Sequence, residues 1–389
     1  MKEFKAILSA YKKVDFSQHQ AALATVIRVH GSSYRSPGAR MLITNDGHWV
    51  GSISGGCLEG DALRKARKVM SERKGMTVTY DTREESNQSL GIGLGCNGVI
   101  DVLIEPVDPQ DPHNPITLFE TFIDKQTPLA MATIFSGPTG IGKRFVVSQS
   151  GEIVANTSKE LISDLLRLFE TKRSETKAYQ IEGTQVDIFL ELIEPGITLI
   201  LFGGGFDARP VSQLAKSLGW EVQVTDECIA HIAPIFFPEA DKLSLCHRNF
   251  IDRDFAITPY TACVLMSHNY EYDRDVLKKL AASAAPYIGI LGPRKRFDKM
   301  LEEFSLAGPE LSEEQIQRVH SPIGLDIGAE APDEIAISII AEIQTVFSNR
   351  SGGFLKNRLG PIHLRDTGSD QVFKQVYLKR DEGNKFNQG

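Results

Sequence analysis

The run Gly55-Gly56-Cys57 sets a thiol behind two glycines and ahead of the amphipathic stretch "LEGDALRKARKVM". At a helix start, free amides and the helix dipole favour a thiolate, so this position predicts a nucleophilic or metal-ligating sulfur rather than a small apolar filler. Cys96 sits likewise among glycines, in "GLGCNG", where a bare backbone admits a ligand or another strand closely. Cys263, in the apolar run "TACVLM", reads as core instead, and Cys228 and Cys246 carry only a structural reading. The loop "HGSSYRSPGARM" adds His30, Ser32, Ser33, Arg35 and Arg40. Short donors and two cations suit a phosphate or a polar heterocycle, although the same loop also reads as an ordinary surface segment with a Pro37-Gly38 turn.

A second glycine-rich turn, "LILFGGGFDA", supplies Gly203, Gly205 and Ala208 in the G-x-G-x-x-A spacing, after an apolar strand and before a helix. The first glycine permits the tight turn, the second lets a phosphate approach, and the small third residue lets helix pack on strand. Asp226 ends the next strand, where a dinucleotide-binding domain puts its ribose-binding acid; a helix cap or a solvated acid is the competing reading. The loop "MSHNYEYD" brings His268, Asn269, Tyr270 and Asp273 to the carboxyl edge of the sheet, where ligands of open parallel sheets bind. In "GPRKR", Arg294 near a helix start would hold an anion if it is not simply part of a solvated face.

The chain that must position these residues has 389 residues, 41% apolar and 24% charged, which is too long for one ordinary core. The pattern predicts an α/β protein. Residues 1–195 form an α+β domain with glycine and cysteine loops, 196–346 a Rossmann-like, doubly wound parallel-sheet domain, and 347–389 a C-terminal extension. The Pro195-Gly196 pair marks the boundary, and no internal repeat is evident in the sequence. A net charge of -7 argues against a nucleic-acid surface, and no apolar run suggests a membrane span. The charged opening "MKEFKAILSAYKK" is unlike a secretory signal, so the expectation is a cytoplasmic protein with reduced cysteines. A homodimer is expected as the commonest symmetric assembly.

Taken together, "GSSYRSPGARMLI", "GSISGGCLEGDAL" and "GLGCNGVIDVLIEP" resemble the xanthine dehydrogenase accessory (XdhC/CoxI) family. "ILFGGGFDARP", "MSHNYEYDRDVL", "YIGILGPRKR" and "HSPIGLDIGAEAPDEIAISIIAEI" are similar to its C-terminal Rossmann part. The resemblance implies a maturation factor with no established turnover of its own. Such a factor binds the molybdenum cofactor, a molybdopterin, holds it while a cysteine desulfurase replaces an oxo ligand by a sulfido group, and passes it to a xanthine dehydrogenase-type molybdenum hydroxylase. On this resemblance the cofactor candidates are Cys57, Cys96, Gly55, Gly56, Ser32, Ser33, Arg35 and Arg40. Cys57 and Cys96 are the candidate ligands of molybdenum, as soft sulfur donors. Gly203, Gly205, Ala208, Asp226, His268 and Arg294 remain candidates for a nucleotide or NAD(P). Two departures stand out: Phe206 replaces the family's usual histidine in the turn, and Asn97 follows Cys96 where a glycine is common. The segment after Ser348 matches nothing in the family. An NAD(P)-dependent oxidoreductase using His268 or Tyr270 as proton donor, and a thiol sensor using Cys57, are the alternatives.

Overall fold

The computed structural model describes residues 1–31, 33–82, 98–111, 114–123, 127–151, 158–181, 183–307 and 310–359. Ser32, Cys96 and Asn97 therefore lie outside the described residues. The chain forms two compact units, Glu3–Glu194 and Pro195–Asn357, the latter with Met1–Lys2.

The N-terminal unit runs α1 (Lys2–Tyr11), β1 (Ala21–Gly31), β2 (Arg40–Thr44), β3 (Trp49–Gly51), α2 (Glu59–Glu72), β4 (Met76–Asp81), β5 (Gly98–Val107), α3 (Pro115–Ile123), β6 (Leu129–Ser136), β7 (Arg144–Ser148), α4 (Lys159–Thr171), β8 (Glu175–Ile181) and β9 (Thr184–Ile193). Its strands make two antiparallel sheets, in the orders β3-β2-β1-β5-β4 and β7-β6-β9-β8. Side chains alternate faces along a strand, so each sheet has an outer and an inner surface. On the outer surface of the first, Ala22, Ala24, Val26, Met41 and Ile43 pack under Ala62, Ala66 and Val69 of α2. On the second, Ala130, Ala132, Ile134, Phe145 and Val147 pack under Leu161, Leu165 and Leu168 of α4. The inner surfaces meet through Leu23, Leu42, Met131 and Val146, and again through Ile27, Leu103, Phe135 and Phe189. Burial on both faces is why β1 reads as the nearly unbroken apolar run "AALATVIRV".

The order β2-β1-β5-β4 in the first sheet recurs as β7-β6-β9-β8 in the second, each with one helix between its second and third strands in sequence. The match extends to single bonds. Gly38 N donates to Val26 O and Val26 N to Ala39 O, just as Gly142 N donates to Ile134 O and Ile134 N to Lys143 O. Both long pairings carry one bulge, between Val26 and Arg28 and between Ile134 and Ser136. The unit is a structural repeat, although none is evident in the sequence.

Two buried ion pairs join the halves reciprocally. Arg40 of the first half forks onto Glu191 of the second, at 2.8 and 2.5 Å, and also donates to Gly38 O at 2.7 Å. Arg144 of the second half pairs with Glu105 of the first and donates to Gly142 O at 2.7 Å. Gly38, at φ +90°, has no room for a side chain, because a Cβ there would stand 2.6 Å from Glu191 Oε1.

The C-terminal unit contains β10 (Thr198–Phe202), α5 (Ala208–Ser217), β11 (Glu221–Asp226), β12 (Lys242–Leu245), α6 (Ile251–Asp254), β13 (Thr261–Leu265), α7 (Tyr270–Ala281), β14 (Tyr287–Ile290), α8 (Arg294–Ala307), α9 (Glu313–Gln317), β15 (Val319–His320) and α10 (Pro332–Phe347). Its parallel sheet has the order β12-β11-β10-β13-β14-β15. One face is covered by α5 and α10, the other by α7 and α8, as a doubly wound Rossmann fold requires. Cys263 is fully buried in β13. No helix among the described residues is long and apolar enough to cross a membrane.

Candidate functional site

In the first half of the N-terminal unit, the turn between β3 and α2 is organised by two side chains, Ser54 and Glu59. Ser54 Oγ accepts the amides of Gly56, Cys57 and Leu58 at 3.2, 3.1 and 3.0 Å and donates to Glu59 Oε2 at 2.5 Å. Glu59, only 5% exposed, also accepts from Ser54 N, Ser52 Oγ and Leu58 N. Burial pushes the Glu59 carboxyl up, but the bonds from Ser54, Ser52 and the backbone outweigh it and hold it below its ordinary range. This arrangement corrects the expectation for Cys57. The helix begins at Glu59, two residues later, and the amides expected to stay free for a thiolate are committed to Ser54 and Glu59. Cys57 is a half-buried free thiol in the turn. Beside it Gly56, at φ +107°, opens its backbone to space, with nothing within 4 Å of a Cβ placed there.

The preceding loop lies against this turn. Arg35 pairs with Glu3 Oε2, while Glu3 Oε1 accepts the amide of Ser52 at 3.1 Å. One carboxylate thus ties the loop to the turn. Ser33 Oγ accepts the amide of Arg35 at 3.3 Å. The ring of Tyr34 lies over Gly55, its Cγ 3.5 Å from where a Cβ would stand, and the residue is 71% exposed. Ser33, Arg35, Gly55, Gly56 and Cys57 therefore come together at one end of the sheet. Arg40 does not join them. It is 3% exposed, held by Glu191 and set 4.9 and 4.6 Å from the ring centroids of Phe4 and Phe119, so it is a structural cation and not one offered to a ligand. Among the described residues no group of three or more His, Cys, Asp or Glu is placed to hold a metal ion.

The glycine-rich turn of the C-terminal unit is tightly covered. A Cβ at Gly203 would stand 2.5 Å from the Ser267 backbone, and one at Gly204 2.5 Å from the His231 carbonyl, whereas one at Gly205 would make ordinary contact with the His268 ring. Ala208 opens α5 fully buried against the sheet. Asp226 closes the turn: Oδ2 accepts Gly204 N at 2.9 Å and faces His231 Nδ1 at 3.0 Å, and Oδ1 accepts Cys228 N at 2.8 Å. His268 adopts the left-handed region, φ 59°, and its exposed ring places Nε2 3.2 Å from Asp207 Oδ2. Asn269 caps α7 by accepting the amide of Tyr272 at 3.2 Å.

Asp273 is buried between Ser267 Oγ and Arg296 Nη2, each at 2.6 Å. Burial pushes its carboxyl up against the opposing pull of Ser267 and Arg296. Arg294 stays exposed, with Asp298 3.9 Å away, so Arg296 is the cation that α8 brings to this edge. Two positions along a helix point to nearly opposite sides, and nothing in "PRKR" tells which cation faces inward. Tyr34, Ser54, Glu59, His231 and Arg296 were all missed by sequence reasoning. The only signal was a hydroxyl and an acid flanking Gly-Gly-Cys.

Comparison with known proteins agrees with both units. Residues 17–81 match the XdhC and CoxI family, and residues 199–343 match the XdhC Rossmann domain. A protein of Bacillus subtilis (strain 168) described as a probable xanthine dehydrogenase subunit is 31% identical over 326 residues, 84% of this chain and 93% of that protein. The molybdenum cofactor insertion chaperone PaoD of Escherichia coli (strain K12) is 21% identical over 326 residues, 84% of this chain and 83% of PaoD. A crystal structure described as a xanthine dehydrogenase from Bacillus halodurans superposes with a TM-score of 0.72 at 30% identity, covering 90% of this chain and 97% of that one. From its length-spanning match to the Bacillus subtilis relative and the family matches in both units, the chain belongs to the XdhC and CoxI family.

Proposed function

We propose that this protein is a molybdenum cofactor-binding accessory protein: it holds the cofactor while a cysteine desulfurase adds the sulfido ligand, and delivers it to a xanthine dehydrogenase-type molybdenum hydroxylase. The observation that carries this reading is the turn in which Cys57, a free thiol, stands beside the open backbone of Gly56 and the exposed ring of Tyr34. The relative PaoD, a molybdenum cofactor insertion chaperone, supports the same role. The residues fit the cargo in part. A thiol is a soft donor for the metal end, and an aromatic face receives a heterocycle. The cargo's phosphate finds less: Arg35 is paired with Glu3, Arg40 is buried, and the amides before α2 are used by Ser54 and Glu59. Cys57 is therefore assigned to the metal end of the cofactor, not to its phosphate.

The oxidoreductase alternative has less support. The acid expected to take a ribose, Asp226, has both oxygens engaged by Gly204, Cys228 and His231, which a nucleotide would have to displace. The test is an anaerobic titration of purified protein with isolated molybdenum cofactor, followed by its absorbance. Saturable binding that weakens in Cys57→Ala is the expected result. Absence of cofactor binding together with saturable NAD(P) binding would overturn the proposal.

A further inference from the structure

The repeat within the N-terminal unit permits a comparison of one half with the other. The equivalence is dense. Beneath the two helices, Ala22, Ala24, Val26, Met41 and Ile43 correspond to Ala130, Ala132, Ile134, Phe145 and Val147. Where the sheets meet, Ile27 and Leu103 correspond to Phe135 and Phe189. Tyr80 of β4 and Tyr179 of β8 also occupy matching positions, opposite Ile100 and Val186. The Arg40–Glu191 and Arg144–Glu105 pairs exchange roles between halves, which is the self-complementary pattern of a two-fold interface built into one chain.

Whatever the first half has and the second lacks is not needed to build such a half. That surplus gathers at one end of the first sheet. Pairing of β1 with β5 continues past Arg28 and Asp101 to Gly31 and Gly98, whereas pairing of β6 with β9 ends at Ser136 and Asp187. The loop from Gly31 to Arg40 carries Tyr34, while the matching connection from Ser136 to Arg144, "GPTGIGK", has no aromatic residue. β3, which pairs Gly51 with Met41 at this same end, leads into the Ser54–Glu59 turn. Cys57 stands in that turn, and the second half contains no cysteine.

We infer that ligand binding in this unit belongs to the first half alone, with Tyr34 as the aromatic face on which the cargo's fused ring stacks, and that the second half serves as the clamp that holds the first in shape. The inference rests on the proposed function for the identity of the cargo, but the division of labour comes from the comparison of the halves. Tyr34 suits the role because one face of its ring is supported by Gly55 while the residue stays 71% exposed. It contributes to no buried cluster, so its removal changes the ligand face and not the fold.

The experiment measures affinity for isolated molybdenum cofactor in Tyr34→Leu, Tyr34→Phe, Cys57→Ala and Thr139→Ala, the last a control in the equivalent turn of the second half. Loss of a stacking partner is expected to weaken binding about tenfold or more in Tyr34→Leu. Tyr34→Phe, which keeps the ring, should bind as the parent does, and so should Thr139→Ala. Unfolding midpoints of all four should match the parent. Normal binding by Tyr34→Leu, or an equal loss in Thr139→Ala, overturns the inference. If Tyr34→Leu binds normally while the parent binds cofactor, this inference alone fails, and normal binding by Cys57→Ala would remove only the assignment of that thiol to the metal end; if the parent binds NAD(P) and no cofactor, the proposed function fails as well.

Discussion

Ser54→Ala tests whether the turn before α2 is held by its hydroxyl hub. The substitution removes the 2.5 Å bond from Ser54 Oγ to the buried Glu59 carboxylate and the acceptor shared by three amides. A hydrogen bond to a charged group contributes about 1.5–3 kcal/mol, so that bond dominates. The amides add little. Leu58 N keeps Glu59 Oε2 at 3.1 Å, and Gly56 is exposed and Cys57 half-buried, so water can replace the partner that their amides lose. Glu59 retains Ser54 N and Ser52 Oγ, both at 2.9 Å, so its charge is not stranded. The expected loss is about 2 kcal/mol. The two tryptophans, Trp49 in β3 and Trp220 ahead of β11, allow each unit to be read separately. In a Trp220→Phe background, urea unfolding followed by Trp49 fluorescence reports the N-terminal unit. A change below about 0.5 kcal/mol, the usual effect of an unremarkable surface substitution, would refute the reasoning.

Glu342 gives a pH prediction. Burial pushes its carboxyl up, but bonds with His320, Tyr287 and Gly324 outweigh it and leave it below the ordinary value. A depressed carboxylate stabilises the fold above its unfolded value, about 4.3, and that contribution disappears as pH falls through the folded value. Glu342→Gln should therefore be less stable than the parent at neutral pH, with the gap narrowing below about pH 4. Urea midpoints read from Trp220 across that range check this, and a gap independent of pH would contradict it. For the glycine turn, Gly204→Ala pushes a methyl against the His231 carbonyl and should cost about 1–3 kcal/mol, whereas Gly205→Ala should be nearly neutral. Equal unfolding midpoints for the two variants would show that the close approach does not constrain the turn.

The C-terminal unit was legible because parallel strands buried on both faces leave unbroken apolar runs, such as "TLILF" and "TACVL", between helical stretches. The repeat was not legible. Many of its equivalent positions keep only size and polarity, as Met41 with Phe145 or Leu103 with Phe189, and loops of unequal length shift the spacing along the chain. Identity survives at scattered points, among them Gly38 and Gly142, Arg40 and Arg144, Glu105 and Glu191, Ala22 and Ala130, and Tyr80 and Tyr179. At the site, the place of Cys57 was readable, but the consumption of its neighbouring amides was not, because Ser54 and Glu59 look like ordinary turn residues until the backbone closes on them. Arg40 misled for a similar reason: it follows a polar loop, while its partner Glu191 lies far along the chain.

The reciprocal bridges also set a timetable for biosynthesis. When the ribosome has released the chain only as far as β5, Arg40 and Glu105 lack their ion-pair partners, because Glu191 and Arg144 have not yet emerged. Ile27 and Leu103 are uncovered at that stage, since Phe135 and Phe189, which pack on them, come from β6 and β9. At roughly 5–20 residues per second, several seconds separate the emergence of β5 from that of β9. During that interval the nascent first half presents an apolar inner surface with two ions that have yet to meet their opposite charges.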